Sequence, residues 1–334
     1  MNHNQEKKKE VWIDNIKVFA CILVVLGHFF QSMAMVNMHS SGLLYQWFNK
    51  TIYYFHVPLF FICSGYIYQK YSTIDSFYSW RQNVSRKALA LGIPYFTFSI
   101  VTWCLKTVFS GQVNTEAKGL FHTLFLEPAS PYWYLYCLFF LFLITPTIKN
   151  RKWCWCYIIE ALLFKIVSFC GNTGIYAVST VLTNEIWFVL GMAMAVGDFK
   201  KIFNTKVALP GGVVIGILFL GSSIPFATCK VNGVIKFVLG FLACVATMCI
   251  FGALYRSNAQ TRMFGFLAKY TMPIFLMHTI FAAGFRGLLF KVGIDNAFVG
   301  PIVAAMVMKR FKWMDVFLYP TKYMKLSFQS RSIR

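Results

Sequence analysis

The sequence WIDNIKVFACILVVLGHFF, residues 12–30, is mostly apolar and long enough to cross a bilayer as one helix. A helix turns by about 100° and rises about 1.5 Å per residue, which puts His28 on the same side as Lys17 and roughly 16 Å beyond it. Ionisable groups are costly inside a spanning segment and normally face water or protein. The polar stripe therefore indicates a helix with a functional role, and it consists of Asp14, Lys17, Cys21 and His28.

The composition excludes a soluble protein, because 58% of the 334 residues are hydrophobic and 13% are charged. The net charge of +21 does not indicate nucleic-acid binding, since the basic residues are distributed between apolar runs instead of forming one soluble face. The ten cysteines include no CxxC pair. We therefore expect an integral protein of the lipid bilayer, with neither disulfides nor a bound metal.

The apolar runs predict an all-α, polytopic membrane domain that covers residues 1–334. Two of the runs are weak, because 153–169 contains Glu160 and Lys165 and 296–308 is shorter than the roughly 20 residues that a span needs. The ten candidate spans are 12–35, 50–68, 88–109, 132–148, 153–169, 175–197, 207–226, 233–254, 264–285 and 296–308.

The segments between these spans alternate in basic character. One side collects 23 lysines and arginines, including the tail 309–334, whereas the opposite side collects 7. Basic residues accumulate on the cytoplasmic side of membrane proteins. Both termini, the tail 1–10 and the tail 309–334, are therefore predicted to be cytoplasmic.

Six motifs together carry a family resemblance: DNIKVFACILVVLGH, FHVPLFFICSGYIY, SRKALALGIPYF, PYWYLYCLFF, EIWFVLGM and TMPIFLMH. In this order they resemble membrane-bound acyltransferase family 3 over almost the whole chain. The sequence is most similar to the stand-alone sugar O-acetyltransferases of that family, including the nodulation fucose acetyltransferases. The resemblance implies a ten-helix enzyme of the bacterial plasma membrane that moves an acyl group, usually acetyl, from cytosolic acyl-CoA to a saccharide on the other side.

The family has an arginine followed, after ten residues, by an essential histidine. Here the histidine is His28 and the arginine position holds Lys17, which keeps the charge but loses the planar fork that binds phosphate at two points. The family's basic motif before the third helix falls on Arg86, with Lys87 beside it and Arg81 five residues earlier. The resemblance therefore implies that Lys17, Arg86 and Lys87 bind acetyl-CoA.

Acyl transfer to a hydroxyl needs a base that removes the hydroxyl proton, and histidine suits that role near neutral pH. His28 is the predicted catalytic base. Asp14 is a candidate for fixing Lys17 through an ion pair on the same helix face, although a residue at a helix start near the interface is an equally good interpretation.

Other polar residues are weaker candidates. His56 precedes Pro58 and the pair Ser64–Gly65 in the second span. A proline near a helix start costs little stability, because it removes a backbone donor that the first turn leaves unpaired anyway, and Ser64–Gly65 suits close helix packing. His278 matches the family's ninth helix, but a core histidine explains it equally well.

A second group precedes the fourth and sixth spans. Glu127, Trp133 and Tyr134 are candidates for the acceptor side, against the alternative of a solvated loop. Glu185 opens the predicted sixth span, where the helix dipole already explains an acidic residue.

The leading hypothesis is thus an O-acetyltransferase that acts on a cell-envelope or exported saccharide, free or lipid-linked. The alternative is a transporter or exporter, because a polytopic protein with intramembrane ionisable residues also fits that class. No internal repeat supports the transporter, and a sensor would need an output domain. Acetyl transfer by the purified protein distinguishes the enzyme from both.

We expect the segment 81–86 to be cytoplasmic. A cysteine placed there should not react with a membrane-impermeant thiol reagent in intact cells, but should react after the membrane is opened. Labelling in intact cells would contradict the topology and, with it, the assignment of the donor to this side.

Overall fold

A computed structural model describes residues 10–34, 42–110, 117–171, 173–199, 202, 206–255 and 260–292. The predicted span 296–308, both predicted tails, His3 and His39 lie outside these residues, apart from Glu10 at the end of the first tail. Within the described part of the chain, the regular structure consists of helices without strands. The α-helices are α1 (Val11–Ala34), α2 (Leu43–Tyr71), α3 (Phe77–Lys87), α4 (Ile93–Val108), α5 (Trp133–Ile144), α6 (Trp153–Cys170), α7 (Tyr176–Val196), α8 (Ala208–Ser223), α9 (Gly233–Leu254) and α10 (Arg262–Val292).

Seven helical stretches of the described residues are long and apolar enough to cross a membrane, which makes the chain a multi-pass membrane protein. In addition, α2 has 29 residues, and α1, α7 and α9 pack around it. The seven stretches are Val11–Gln31, Phe77–Val108, Trp153–Cys170, Tyr176–Val196, Ala208–Phe226, Gly233–Leu254 and Arg262–Gly284. The predicted total of ten spans and the sidedness of the termini stay predictions.

Helices occupy all nine predicted spans that fall within the described residues, including the weak one at 153–169, which is α6. The prediction for 132–148 was wrong at its carboxyl end, because α5 has 12 residues and ends at Ile144. Thr145 is held in an extended conformation by the following Pro146, since a residue before proline is disfavoured in the helical region.

The basic segment before the third span is helical, although the sequence predicted a connecting loop. The Ser76 side chain caps α3 by accepting a hydrogen bond from the backbone N–H of Ser79. The Ser79 hydroxyl in turn accepts a hydrogen bond from the backbone N–H of Ser76. A short π-helical stretch, Ala88–Gly92, then joins α3 to α4 without a break. Arg81, Arg86 and Lys87 are therefore positioned by a helix.

The two ends of the bundle differ in chemistry. At one end Lys70 of α2 forms an ion pair with Glu10, and Gln69 donates to the backbone oxygen of Ile148 at 2.9 Å. The segments before α3 and after α5 meet there, and both belong to the side of the chain that collects the basic residues. We therefore call this the basic end. At the far end, the hydroxyl of Tyr45 donates to the backbone oxygen of Phe30 at 2.7 Å.

Two glycines allow α2 and α7 to touch through their backbones. A Cβ added at Gly65 would lie 2.0 Å from the backbone oxygen of Phe188, and one added at Gly191 would lie 2.0 Å from the backbone oxygen of Ile62. Small residues permit such close approach between membrane helices. Gly65 therefore has the predicted packing role, and the helix that packs against it is α7.

We expect Gly65→Ala to destabilise the protein by at least about 1–3 kcal/mol, because the methyl group would overlap a backbone oxygen that cannot rotate away. Thermal unfolding of the purified protein in detergent measures this loss. Gly211→Ala in α8 is the matched control, since no heavy atom lies within 4 Å of its added Cβ. A melting temperature of Gly65→Ala equal to that of the control would contradict the prediction.

Candidate active site

Three histidines from separate helices converge in the far half of the bundle. The rings of His28 in α1 and His278 in α10 have centroids 5.0 Å apart. Tyr53 of α2 connects His28 to the third histidine, because its ring lies 6.3 Å from that of His28 and 5.0 Å from that of His56. The sequence named these three histidines separately, and the fold brings them together.

Hydrogen bonds fix the orientation of two of the rings. The Nδ1 atoms of His56 and His278 lie 2.7 Å from the backbone oxygens of Ile52 and Phe275, respectively. A carbonyl oxygen only accepts, so both Nδ1 atoms carry the proton and donate. In a neutral ring Nε2 is then the basic nitrogen, and Nε2 of His278 is buried without a hydrogen-bond partner. His278 thus keeps an acceptor nitrogen beside His28.

A cavity of about 510 Å³ opens beside His28 and His56. This volume is typical of sites for small ligands. Its wall combines aromatic rings with a few polar side chains, and these include Gln31, Tyr53, Trp133, Tyr134, Lys165 and Lys236. The predicted acceptor-side residues Trp133 and Tyr134 therefore share a cavity with the predicted base.

Pro58 shapes the wall of this cavity from inside α2. The helix begins at Leu43, so Pro58 lies in its interior, and the prediction of a proline near a helix start was wrong because α2 extends further back than residue 50. Proline has no N–H to donate to the Tyr54 carbonyl. Gly240 of α9 approaches that oxygen, since an added Cβ would lie 2.5 Å from it. The missing hydrogen bond thus falls where another helix makes close contact.

Tyrosine hydroxyls connect the helices that carry the site. Ser64 of α2 and Tyr134 of α5 share a hydrogen bond of 3.1 Å. Tyr132 donates to the backbone oxygen of Leu276 at 3.1 Å, and it contacts the hydroxyl of Thr102 at 2.8 Å. Ser64 therefore supports Tyr134 in the cavity wall, while Tyr132 attaches α10 close to His278.

The predicted donor residues lie toward the basic end. Asp14 and Lys17 are half-buried in α1. Arg86 is exposed, and the Lys87 ammonium lies 4.0 Å from the centroid of the Phe142 ring. The binding of one donor by these residues, and an ion pair between Asp14 and Lys17, stay predictions.

Glu127 lies outside the histidine cavity, on the wall of an adjoining cavity of about 840 Å³. Lys118 donates to its carboxylate, and Nε2 of His122 lies 3.9 Å from it. The Lys118 ammonium lowers the pKa of the exposed Glu127 carboxyl, so Glu127 is an ionised surface group. The two cavities share Trp133, Ser168, Thr183 and Asn184.

Two charged residues lie in helix interiors, inside the predicted spans 175–197 and 153–169. Glu185 is buried in the middle of α7, which begins at Tyr176, and one of its carboxylate oxygens accepts a hydrogen bond from the hydroxyl of Thr145 at 3.1 Å. The helix-dipole interpretation of Glu185 was therefore wrong. Lys165, which weakened the prediction of α6, is a wall residue of the histidine cavity. A charge inside an apolar run was the available signal for both.

The described residues contain no group of three or more histidine, cysteine or acidic side chains that could hold a metal ion. The arrangement within these residues is that of a helical membrane bundle with a cavity lined by histidine, tyrosine and lysine, which suits an enzyme that moves protons at a bound substrate.

The comparisons with known proteins specify the class. The chain belongs to the acyltransferase domain family Acyl_transf_3, whose sequence profile matches residues 10–308. This family match confirms the resemblance seen in the motifs.

A curated relative is Nodulation protein NolL of Mesorhizobium japonicum, which is 27% identical over 152 residues. The alignment covers 44% of this chain and 38% of NolL, so the chain spans less than two fifths of that protein's length. No solved structure matches the chain.

Proposed function

We propose that this protein is an O-acetyltransferase of the bacterial plasma membrane that transfers the acetyl group of acetyl-CoA to a hydroxyl of a cell-envelope or exported saccharide. The observation that carries the proposal is the cavity lined by His28 and His56, with His278 packed against the His28 ring, inside an acyltransferase-family fold. The saccharide, free or lipid-linked, comes from the resemblance of the motifs to sugar O-acetyltransferases.

In the proposed reaction His28 removes the proton of the acceptor hydroxyl while the hydroxyl oxygen attacks the carbonyl carbon of the thioester. The C–S bond then breaks and the electron pair leaves with the sulfur. The histidinium returns the proton to the thiolate, so the products are the acetyl ester and free CoA. The buried Nε2 of His278 is a second basic nitrogen next to this ring, and it would stabilise the positive charge that develops on His28.

The donor would enter from the basic end and the acceptor from the far end. Lys17 and His28 lie on the same face of one helix, roughly 16 Å apart, so a molecule with charged phosphates at one end and a thioester on a long arm can contact both. Arg86 and Lys87, at the end of α3, would add positive charge for the phosphates.

His28→Gln should lower acetyl transfer to a saccharide by about 10²–10⁴-fold, because glutamine forms hydrogen bonds but does not accept a proton near neutral pH. The rate of product formation by the purified protein, with the amount of folded protein matched, measures this loss. His122→Gln is the control, since His122 lies outside the cavity and should leave the rate unchanged. Near-normal turnover of His28→Gln would move the base to His56 or His278.

Lys17→Ala and Arg86→Ala should raise the KM for acetyl-CoA more than they lower kcat. Charge contacts to remote phosphates stabilise the ground state and the transition state alike, so their loss appears in KM. Lys17→Arg should retain activity because the family carries arginine at this position. Steady-state kinetics with varied acetyl-CoA tests this, and an unchanged KM in both alanine variants would remove these residues from the donor site.

A further inference from the structure

Lys165 occupies an unusual position for a lysine in a membrane helix. Of the 18 residues of α6, Ala161 and Lys165 are the ones that are buried, and Lys165 exposes 7% of its surface. Most of α6 therefore faces away from the protein, while its lysine points inward. Burial of an ammonium group is costly, and an ionisable residue inside the membrane commonly marks a substrate path.

The surroundings of Lys165 satisfy only part of its hydrogen-bonding capacity. Its Nζ donates to the backbone oxygen of Thr183 at 3.0 Å and lies 5.1 Å and 5.6 Å from the ring centroids of Phe169 and Phe237. An ammonium group has three N–H donors. The two aromatic faces attract its positive charge but do not replace the missing hydrogen-bond acceptors. In the described part of the chain, no carboxylate forms an ion pair with Lys165.

The ring of Phe169 is held in place by the start of α9. A Cβ at Gly233 would lie 2.8 Å from Cδ1 of Phe169, so the backbone of α9 packs directly on that ring. One turn later on α9, Lys236 also reaches the cavity. The fold thereby brings two lysines from different helices to one cavity.

The charged side chains of the cavity are positive. Its described lining contains Lys165 and Lys236, and none of its described lining residues is acidic. Glu127 belongs to the adjoining cavity, where Lys118 neutralises it. An anion that enters the cavity would therefore meet uncompensated positive charge beside the predicted base, in surroundings where charge interactions are stronger than in water.

From this geometry we propose that the acceptor is an anionic saccharide, whose carboxylate or phosphate group binds Lys165 and Lys236 while a hydroxyl of the same molecule lies at His28. This inference rests on the proposed acetyltransferase function and narrows its substrate. The aromatic rings of Trp133 and Phe237, which line the same cavity, offer faces for a sugar ring. A neutral sugar would leave the buried ammonium without a counter-charge, so the site favours the charged molecule.

The test compares pairs of acceptors that differ in charge, using purified protein in lipid nanodiscs with acetyl-CoA. One pair is p-nitrophenyl β-D-glucuronide and p-nitrophenyl β-D-glucoside, which tests a carboxylate. The other is α-D-glucose 1-phosphate and methyl α-D-glucoside, which tests a phosphate. We expect kcat/KM for at least one anionic acceptor to exceed that for its neutral partner by about tenfold or more, and the pair that shows the preference identifies the group.

Lys165→Met should lower this preference by about 10- to 100-fold, mainly through the KM for the anionic acceptor, because methionine fills the space without the charge. Lys165→Arg should retain most of the preference. Lys106→Gln is the matched control, since this lysine lies at the end of α4 and not in the cavity lining, and it should keep the wild-type ratio. A structural role alone would change the amount of folded protein but not the ratio between the acceptors.

Lys236→Gln repeats the test at an exposed position, where we expect the fold to tolerate the change, and it should lower the preference by a smaller factor of about 3–10. Equal kcat/KM for charged and neutral acceptors in the wild type, or a preference that survives the double variant Lys165→Met/Lys236→Gln, would overturn the inference while leaving the acetyltransferase function intact. Failure to acetylate any acceptor, charged or neutral, would count against both.

Discussion

The backbone contact between α2 and α7 is the constraint on which the site depends. Lipid tails are as apolar as leucine, so membrane helices associate through packing and hydrogen bonds more than through the hydrophobic effect. Gly65 and Gly191 let each helix reach a carbonyl oxygen of the other, and this fixes both their separation and their register. His56 lies about 13 Å further along α2, where a fixed register decides which residues of α7 it can share a cavity with.

Hydropathy and residue chemistry predicted most of the helices, because the bilayer imposes one length and one polarity on every span. The same reasoning selected His28, because an ionisable side chain inside an apolar run is costly unless it has a partner or a function. The sequence could not show which residues lie next to each other in the fold. His28, His56 and His278 belong to different helices, and only the packing of α1, α2 and α10 brings their rings together.

The errors have a common physical cause, which is that tertiary contacts replaced local rules. A proline is expected at a helix start and an acid at a helix amino terminus, but Pro58 and Glu185 both lie in helix interiors. Gly240 packs against the carbonyl that Pro58 leaves without a donor, and Thr145 donates to Glu185. Likewise Lys165 weakened the prediction of α6 because it is charged, and the structure shows that this charge lines the cavity. Each departure from the local rule thus marks a place where two helices meet.

If Lys17 binds the charge of the acyl donor, the geometry of α1 also limits the class of that donor. Lys17 and His28 lie on one helix, so the axial rise of roughly 16 Å between the two residues is set by the backbone of α1. An acyl phosphate carries its charge directly beside its carbonyl and could satisfy one of these residues but not both. A thioester on a long flexible arm, with its phosphates at the other end, can satisfy the two at once. If Lys17 binds the donor's charge, α1 therefore selects a coenzyme A thioester by length before any contact with the acyl group is made.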